Sequence, residues 1–480
     1  MRLILFSALL AIVSAASAAD RPNVLFIAVD DLRPELGTYG TRAITPSIDA
    51  LAASGVRFEH AYCNQAVCGA SRVSLMTGLY PERTGERTYH VTGWRERWAD
   101  TVTLNQHFLA NGYNTIGMGK IYHGSGGEGV DPENWTEWVN VKGSQYVNEE
   151  SRENMRTSKA GGRTRKRGPS TEAGNTDGDD YPDSQRAATG AVRLAKLAKD
   201  DKPFFLAVGF TKPHLPFVAP KKFWNLYQRD SFSMPKNLGV PPGYPKYASN
   251  VSAGELRSYS DIPQGNVPPS EFPDELNKRL IHGYHACVSY MDYNVGVLLD
   301  ALEKSGEADN TIVVFWGDHG WKLGDHSSWC KHTNFECDTR VPLIVRAPGK
   351  AKAASKSLVE LIDIYPTLCD LAGLEKPTHL QGKSFIATLE DPKTKHRDFA
   401  YSSYSHGLGK GKSAVGHSLR NGQFRYTEWW EKGTDKVLDK ALTDLTADPG
   451  ETTSALPEKA SEAELFSKAL RARVLGVRKK

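Results

Sequence analysis

The sequence predicts an α/β fold in which a mixed or parallel central sheet is flanked by helices. Three apolar runs, Asn23–Val29, Phe204–Phe210 and 311–316, are spread along the chain. Each run is continuous rather than alternating, which is typical of a strand buried on both faces of a sheet. Helical periodicity appears between the runs, and this alternation of strands and helices favours a helix-covered sheet.

Two amphipathic helices are predicted between these strands, at 184–198 and 285–302. In the second, apolar residues recur at steps of three and four, which places them on one helix face. They are Val288, Met291, Val295, Leu298, Leu299 and Leu302. Both helices are therefore expected to cover the sheet.

The pattern changes after about residue 385. Short runs at 416–420 and 424–427 predict a small antiparallel sheet, and 461–475 predicts a final helix. We therefore expect a main α/β domain over 19–384 and a smaller C-terminal subdomain over 385–480.

The first 18 residues have the pattern of a secretory signal. Arg2 provides a short positive region, residues 3–13 are almost entirely apolar, and Ala16 to Ala18 form a small-x-small cleavage pattern. A membrane span needs about 20 apolar residues, and this run is shorter. We expect an exported protein, secreted or periplasmic, that does not span a membrane.

Composition excludes some classes of protein. The 480 residues include 60 Lys and Arg against 56 Asp and Glu, a net charge of +4. A dedicated nucleic-acid binder should be far more basic. Six cysteines are too few for a disulfide-dense scaffold, although Cys330 and Cys337 are close enough in sequence to form a bridge.

Residues 142–182 form a polar, Gly-rich stretch that interrupts the main pattern. A basic cluster is followed by an acidic patch, which makes the stretch highly charged. The basic cluster consists of Arg163, Arg165, Lys166 and Arg167, and the acidic patch of Asp177, Asp179 and Asp180. Two interpretations remain open: a solvated surface insertion, or a loop that grips an anionic polymer.

Ionisable residues follow all three predicted strands. Asp30 and Asp31 follow the first strand, His214 lies just beyond the second, and Asp318 and His319 follow the third. Sites in open α/β sheets form beyond the carboxyl ends of the strands, so one shared cleft is expected. Carboxylates suit Ca²⁺ or Mg²⁺. Ca²⁺ is favoured, because acids from separate strands suit its flexible coordination.

The run from Cys68 to Gly78 reads CGASRVSLMTG, with Ala two and Arg four residues after the Cys. It resembles the modification signature of the formylglycine-dependent sulfatases. In that family a maturation enzyme oxidises the Cys to 3-oxoalanine (formylglycine), which hydrates to a geminal diol and attacks sulfur. Pro is the commonest third residue in the signature, but Ala70 is accepted, so modification is expected.

Further stretches resemble the same family in the same order, over roughly residues 22–449. They are closest to the iduronate-2-sulfatase-like branch. The stretches are 29–33, 119–123, 212–217, 318–324 and 363–367, together with Lys331. The resemblance implies an alkaline-phosphatase-like fold.

The resemblance also implies a metal shell. Its members are Asp30, Asp31, the modified Cys68, Asp318 and His319. Many family members have Asn at the last position, and imidazole is a softer ligand than an amide oxygen. His319 is therefore also a candidate to contact the substrate sulfate. Arg72 would orient the diol and neutralise its charge.

Four more residues match family positions that handle sulfate and protons. Lys120 and Lys331 would bind the sulfate oxygens. His123 would assist the nucleophile and take a proton when the aldehyde is regenerated. His214 is the candidate general acid for the leaving alcohol, because an unperturbed histidine titrates near neutral pH.

These expectations describe a Ca²⁺-dependent sulfuric ester hydrolase that acts on a sulfated carbohydrate, such as a glycosaminoglycan or algal polysaccharide fragment. Two alternatives remain. A phosphatase or phosphonate hydrolase of the alkaline phosphatase superfamily would share the metal acids but use Ser or Thr in place of Cys68. A non-catalytic glycan-binding protein would bind without turnover. Candidates for sugar contact are Trp94, Arg95, Trp98, Trp321, Trp429 and Trp430. For most of them the alternative is core packing or an ordinary surface aromatic.

Overall fold

The structure is a computed structural model that describes residues 21–85, 93–124, 127–160, 163–249, 251, 253–265 and 267–478. The predicted signal segment, 1–18, lies outside the described residues. Within these ranges, no helix has both the length and the apolar composition that crossing a membrane requires.

Sixteen strands are found in the described ranges. They are β1 (Asn23–Val29), β2 (Val56–Tyr62), β3 (Asn114–Gly119), β4 (Glu137–Val139), β5 (Arg156–Ala160), β6 (Arg163–Arg167), β7 (Thr171–Gly174), β8 (Phe204–Phe210), β9 (Phe217–Pro220), β10 (Thr311–Gly317), β11 (Arg340–Arg346), β12 (Ala353–Glu360), β13 (Ala400–Gly409), β14 (Lys412–Arg420), β15 (Phe424–Glu431) and β16 (Val437–Asp444).

Thirteen α-helices are found in the same ranges. They are α1 (Pro46–Ala53), α2 (Cys68–Thr77), α3 (Pro81–Thr84), α4 (Trp94–Arg97), α5 (Leu104–Ala110), α6 (Glu149–Glu153), α7 (Pro182–Leu197), α8 (Lys221–Trp224), α9 (Asp274–Ser305), α10 (Glu336–Thr339), α11 (Ile364–Leu371), α12 (Ile386–Glu390) and α13 (Ala460–Arg478).

The central sheet has eight strands in the order β12-β2-β11-β10-β1-β8-β3-β4. Strand β11 runs antiparallel to both of its neighbours, and the remaining neighbours pair in parallel. The three strands predicted from apolar runs, β1, β8 and β10, lie side by side at its centre. The predicted mixed sheet is confirmed.

Strand β1 is buried on both faces, as its unbroken apolar sequence predicts. Leu25 and Ile27 join a core that includes residues of α1, α7 and α9. Val24 and Phe26 join a second core on the other face, with residues of α2, α5 and α11. The sheet is therefore held between two helical layers, and its strand ends are the places where polar side chains can gather.

The C-terminal part forms the predicted antiparallel sheet, in the order β13-β14-β15-β16. Helix α13 packs Phe466 and Leu470 into one apolar cluster with Tyr426 and Trp430 of that sheet. The predicted C-terminal sheet and final helix are both present.

The polar stretch 142–182 is only partly solvated. Its basic part forms the antiparallel ribbon β5–β6, and β7 pairs in parallel with β9. Glu172 is buried and accepts hydrogen bonds from the Tyr181 hydroxyl at 2.6 Å and the Val147 N–H at 3.0 Å. The end of the stretch is therefore anchored in the protein body.

Candidate active site

The acids predicted to share a cleft lie at one edge of the central sheet. The ends of three neighbouring strands are level there, because Val29 pairs with Gly317 on one side and with Phe210 on the other. Asp30 and Asp31 continue from β1, and Asp318 continues from β10. All three are almost completely buried.

Cys68 is the first residue of helix α2, which directs it toward these acids. Arg72 lies one turn further along the same helix face. Its Nε donates a 2.9 Å hydrogen bond to Oδ2 of Asp318, and its Nη2 lies 3.6 Å from Oδ1 of Asp30. The four-residue spacing in the motif thus puts a fully buried guanidinium beside both the Cys and the acids.

The cluster fits a hard divalent cation. One ligand atom from each of Asp30, Cys68, Asp318 and His319 can be chosen so that all lie within 4.8 Å of one another. Oδ1 of Asp30 is buried and accepts no hydrogen bond from the described residues. A buried carboxylate oxygen with no donor is costly. Carboxylate oxygens from two strands meet the preference of Ca²⁺ or Mg²⁺.

The acids of the cluster titrate differently. Burial alone would raise the pKa of Asp30, but the charges of Lys120, His214 and Arg72 together outweigh it and hold that pKa well below its ordinary value. Burial raises the pKa of Asp318 despite the neighbouring Arg72. A bound cation would favour the ionised form of both groups.

His319 lies directly beside the predicted nucleophile. Its Nδ1 is 2.9 Å from the carbonyl oxygen of Gly320. A carbonyl only accepts, so Nδ1 carries the hydrogen and Nε2 faces Cys68 Sγ at 3.1 Å. His319 therefore contacts the predicted nucleophile directly. This position is compatible with both of its candidate roles, as a metal ligand and as a contact of the substrate sulfate.

The thiol of Cys68 is poorly suited to act as a nucleophile. Burial, followed by the charge of Asp30, raises its pKa well above the ordinary value. The thiolate, not the thiol, is the nucleophilic form of cysteine. Unmodified Cys68 is consequently a weak nucleophile in this environment.

Two lysines bracket the acids. Lys120 donates to Oδ2 of Asp30, and Lys331 donates to both oxygens of Asp31 at 2.9 and 3.0 Å. Lys120 follows Gly119, whose φ of +70° and close approach exclude a side chain, since a Cβ there would lie 2.1 Å from the Gly209 carbonyl oxygen. The lysines supply positive charge where a sulfate ester must bind.

The two predicted proton-handling histidines differ. Burial, together with the charge of Lys120, lowers the pKa of His123 to about 2, so His123 is neutral and only weakly basic in this environment. His214 lies 3.9 Å from Oδ2 of Asp31 through its Nε2. Its loop is held by the Lys212 ammonium, which donates to the carbonyls of His214 and Pro216 at 2.9 and 2.7 Å.

Glu255 belongs to the same cluster and was not predicted from the sequence. Its Oε1 is 3.0 Å from Nε2 of His214, and its Oε2 is 3.0 Å from Nζ of Lys331. Burial alone would raise the pKa of Glu255, but Lys331 and His214 outweigh it and hold the pKa well below its ordinary value. Glu255 lies in a Pro-, Gly- and Ser-rich stretch that carries no motif, so the sequence gives no signal for it.

Most of the predicted sugar contacts are wrong. Trp94, Trp321, Trp429 and Trp430 are at most 1% exposed and pack in the interior, so they offer no face to a sugar. The guanidinium of Arg95 is held by the Thr101 carbonyl and Gln106, each at 2.7 Å. Trp98 is partly exposed but donates to the Thr84 carbonyl at 3.0 Å. The aromatic residues were predicted as platforms because sequence alone does not show burial.

The six cysteines all lie within the described residues, and none of them forms a disulfide. The bridge considered between Cys330 and Cys337 is not formed. Cys330 is buried and Cys337 is partly exposed.

Comparisons with known proteins agree with this arrangement. Residues 22–374 match the family model described as "Sulfatase", and 324–480 match "N-sulphoglucosamine sulphohydrolase, C-terminal". The chain is 33% identical to iduronate 2-sulfatase of Homo sapiens, over 88% of each chain.

Two solved structures share the fold. The structure of a protein described as a 2-O GAG sulfatase has a TM-score of 0.70 at 21% identity, covering 95% of this chain and 93% of that one. The phosphonate monoester hydrolase of Silicibacter pomeroyi has a TM-score of 0.73 at 21% identity, covering 95% of each chain.

Proposed function

The chain belongs to the sulfatase family and is a sulfuric ester hydrolase, and from that premise we propose that it removes sulfate from a sulfated carbohydrate through a formylglycine at position 68. The iduronate-2-sulfatase-like branch is indicated by the relative that is 33% identical over 88% of the chain. Glycosaminoglycan or algal polysaccharide fragments are the proposed substrates, and the protein is proposed to be exported.

One observation carries this proposal. Cys68 lies at the start of a helix, 3.1 Å from His319 and beside three buried acids and their paired cations. Burial and the charge of Asp30 raise the pKa of its thiol and so disfavour the nucleophilic thiolate, which supports a different functional group at this position. Conversion to an aldehyde supplies one.

The conversion balances as a two-electron oxidation. Water replaces the sulfur of Cys68, which leaves as sulfide, while two electrons and two protons pass to an oxidant supplied by a separate maturation enzyme. Hydration of the aldehyde gives a geminal diol. One hydroxyl attacks the ester sulfur as the alcohol leaves, and loss of a proton from the other restores the aldehyde and expels sulfate.

The residues around position 68 divide the remaining tasks. Arg72 holds the diol and offsets its charge. Lys120 and Lys331 bind the sulfate oxygens, which lowers the repulsion between an anionic ester and the nucleophile. His123 takes the proton released when the aldehyde is restored, and because the charge of Lys120 helps to lower its pKa, this role depends on the sulfate anion offsetting that charge. His214 gives a proton to the oxygen of the leaving alcohol.

Asp30, Asp31, Asp318 and His319, with position 68, would hold the proposed Ca²⁺. When bound, the ion would act as a Lewis acid on a sulfate oxygen. The observation that supports this donor set is the buried Asp30 oxygen that accepts no hydrogen bond from the described residues.

The test is release of inorganic sulfate from defined sulfated oligosaccharides, with aryl phosphate and aryl phosphonate assayed in parallel. Wild type should release sulfate, and Cys68→Ala should lose at least about 10³-fold in rate, since the nucleophile is gone. Cys63→Ala is the matched control, because Cys63 is a second fully buried thiol five residues away. Faster turnover of the phosphorus esters by wild type would contradict the proposal.

A further inference from the structure

We propose that Glu255 is a positioning residue that holds Nε2 of His214 at the outer side of the site, where the alcohol of the ester leaves, and that sulfate esters of poor leaving groups therefore depend on it. This inference rests on the proposed function, in which His214 protonates the leaving alcohol.

The orientation of the His214 ring follows from its two nitrogens. Nδ1 lies 2.6 Å from the Leu215 carbonyl oxygen, which can only accept, so Nδ1 carries a hydrogen and is committed to the main chain. Nε2 is then the only ring nitrogen that can donate a proton to the leaving alcohol. Its closest charged neighbour is Glu255 at 3.0 Å, while Asp31 and Asp30 are 3.9 and 4.0 Å away.

Exposure shows on which side of the site this pair lies. The side chains of Asp30, Asp31 and Lys331 are at most 3% exposed, whereas those of His214 and Glu255 are 14% and 23% exposed. If the sulfate is held by Lys331 near the buried acids, its alcohol departs on the more exposed side, where His214 and Glu255 lie. Glu255 therefore fixes the histidine on the side that receives the sugar.

The second oxygen of Glu255 ties the same carboxylate to the sulfate pocket. Oε2 lies 3.0 Å from Nζ of Lys331, which also contacts Asp31. One carboxylate thus spans the proposed proton donor and a proposed sulfate-binding lysine. This bridge fixes their separation, which is what proximity effects in catalysis require.

The loop that carries Glu255 is itself held in place. The guanidinium of Arg156 donates to the carbonyls of Arg257 and Tyr259 at 2.9 and 2.6 Å, and Arg167 donates to the Tyr259 hydroxyl at 2.8 Å. Arg156 and Arg167 are cross-strand partners in the β5–β6 ribbon. At least these two members of the basic stretch fix the Glu255 loop instead of facing a polymer.

The test compares two substrates in Glu255→Gln. 4-Nitrophenyl sulfate releases a stable phenolate and needs no proton, whereas a monosulfated sugar alcohol does. We expect kcat for the sugar sulfate to fall about 100-fold and that for 4-nitrophenyl sulfate to change less than about fivefold, because general acid catalysis is worth roughly 10²–10⁴-fold. KM for the sugar sulfate should not rise, since Gln removes a negative charge from an anion pocket.

Glu255→Asp should restore part of the sugar sulfate activity, because it keeps the carboxylate. Glu35→Gln is the matched control: Glu35 is also partly buried and lies 3.3 Å from a histidine, His285, that has no proposed role in the reaction. The control should not distinguish the two substrates. The activity on 4-nitrophenyl sulfate itself reports that each variant is folded.

Equal losses on both substrates, or no loss on either, would overturn the inference for Glu255. His214→Ala separates this failure from failure of the proposed function. If His214→Ala is selective for the sugar sulfate and Glu255→Gln is not, only the role of Glu255 is wrong. If His214→Ala is unselective, the acid role of His214 fails and the inference fails with it.

Discussion

Asp30 and Asp363 are both fully buried aspartates in stretches that resemble one family, yet they differ in the hydrogen bonds that their carboxylates accept. Asp363 accepts five hydrogen bonds from protein groups. The donors are the N–H groups of Glu360 and Lys383, Nε2 of His396, and Nε and Nη2 of Arg397. Oδ1 of Asp30 accepts no hydrogen bond from the described residues.

This difference separates a structural acid from a functional one. The bonds to Asp363 connect β12, the start of α11 and the 383–397 segment, so they hold three parts of the chain together. The oxygen left open on Asp30 points to a ligand that the polypeptide does not supply. Burial and charge alone do not distinguish the two acids. They are distinguished by whether each carboxylate oxygen accepts a hydrogen bond from the protein.

The largest effect is expected at Asp30. Asp30→Asn should lower the rate of sulfate release by at least about 10³-fold, since it removes a ligand of a Lewis acid worth several kcal/mol. Ca²⁺ should raise the Tm of the wild type, and the substitution should abolish this rise. Calorimetry with and without a chelator measures the Ca²⁺-dependent change in Tm. A variant that keeps this rise would contradict the assignment of Asp30 as a metal ligand.

Asp363→Asn should have the converse effect. Breaking a buried ion pair leaves Arg397 with only the more distant Glu360, 3.8 Å away, and we expect a loss of about 3–5 kcal/mol in the free energy of unfolding. The rate per folded molecule and the Ca²⁺-dependent rise in Tm should persist. Urea unfolding combined with active-site titration checks this, and a selective loss of kcat with normal stability would contradict it.

Two buried lysines differ in the same way as the two aspartates, since one belongs to the site and the other to the interior. Lys331 contacts acids of the site, whereas Lys322 contacts Asp338 and the Thr333 hydroxyl in the interior. Lys331→Met should lower kcat/KM by about 10²-fold, as expected for loss of one group that stabilises developing charge. Lys322→Met, the matched control, should instead lower stability and leave kcat/KM of the folded protein unchanged.

The smallest effect concerns pH. Burial raises the pKa of Glu451 to about 7, from an ordinary 4.5, although Arg425 is nearby. The folded state therefore binds more protons than the unfolded state between these values, so this group's contribution to stability falls as pH rises from about 4.5 to 7. Asp363 has the opposite sign, because Arg397 outweighs burial and lowers its pKa, so its contribution is lost only in acid.

Glu451→Gln should flatten the pH dependence of the free energy of unfolding between pH 5 and 8, by up to roughly 3 kcal/mol. Urea unfolding at both pH values, on the variant and wild type, measures the change. An unchanged pH slope would show that Glu451 titrates normally in the folded protein.

Much of the site could be predicted because its residues are encoded locally. Asp30 and Asp318 follow apolar runs that sequence alone identifies as buried strands, and Arg72 is one helical turn from Cys68. Parallel strand ends bring the acids together, whereas the places of Cys68 and Arg72 in the site were expected only from the resemblance to the sulfatases.

The parts that could not be predicted depend on contacts between distant segments. Glu255 meets Lys331, 76 residues away, through a loop whose path no local pattern specifies. The tryptophans failed for a related reason, since an indole near a motif is equally compatible with a core and a surface. Arg167 was grouped with a solvated or polymer-binding cluster because charge suggests exposure, but it reaches back to Tyr259, as does Arg156 on the paired strand.

The most direct measurement is peptide mass spectrometry across residue 68 of the active protein, with the modified fraction compared with the rate of sulfate release. We predict a peptide about 18 Da lighter than the Cys form, with activity proportional to its abundance, since the thiol is replaced by an aldehyde. Full sulfate release by protein that retains the thiol at Cys68 would contradict the proposed chemistry.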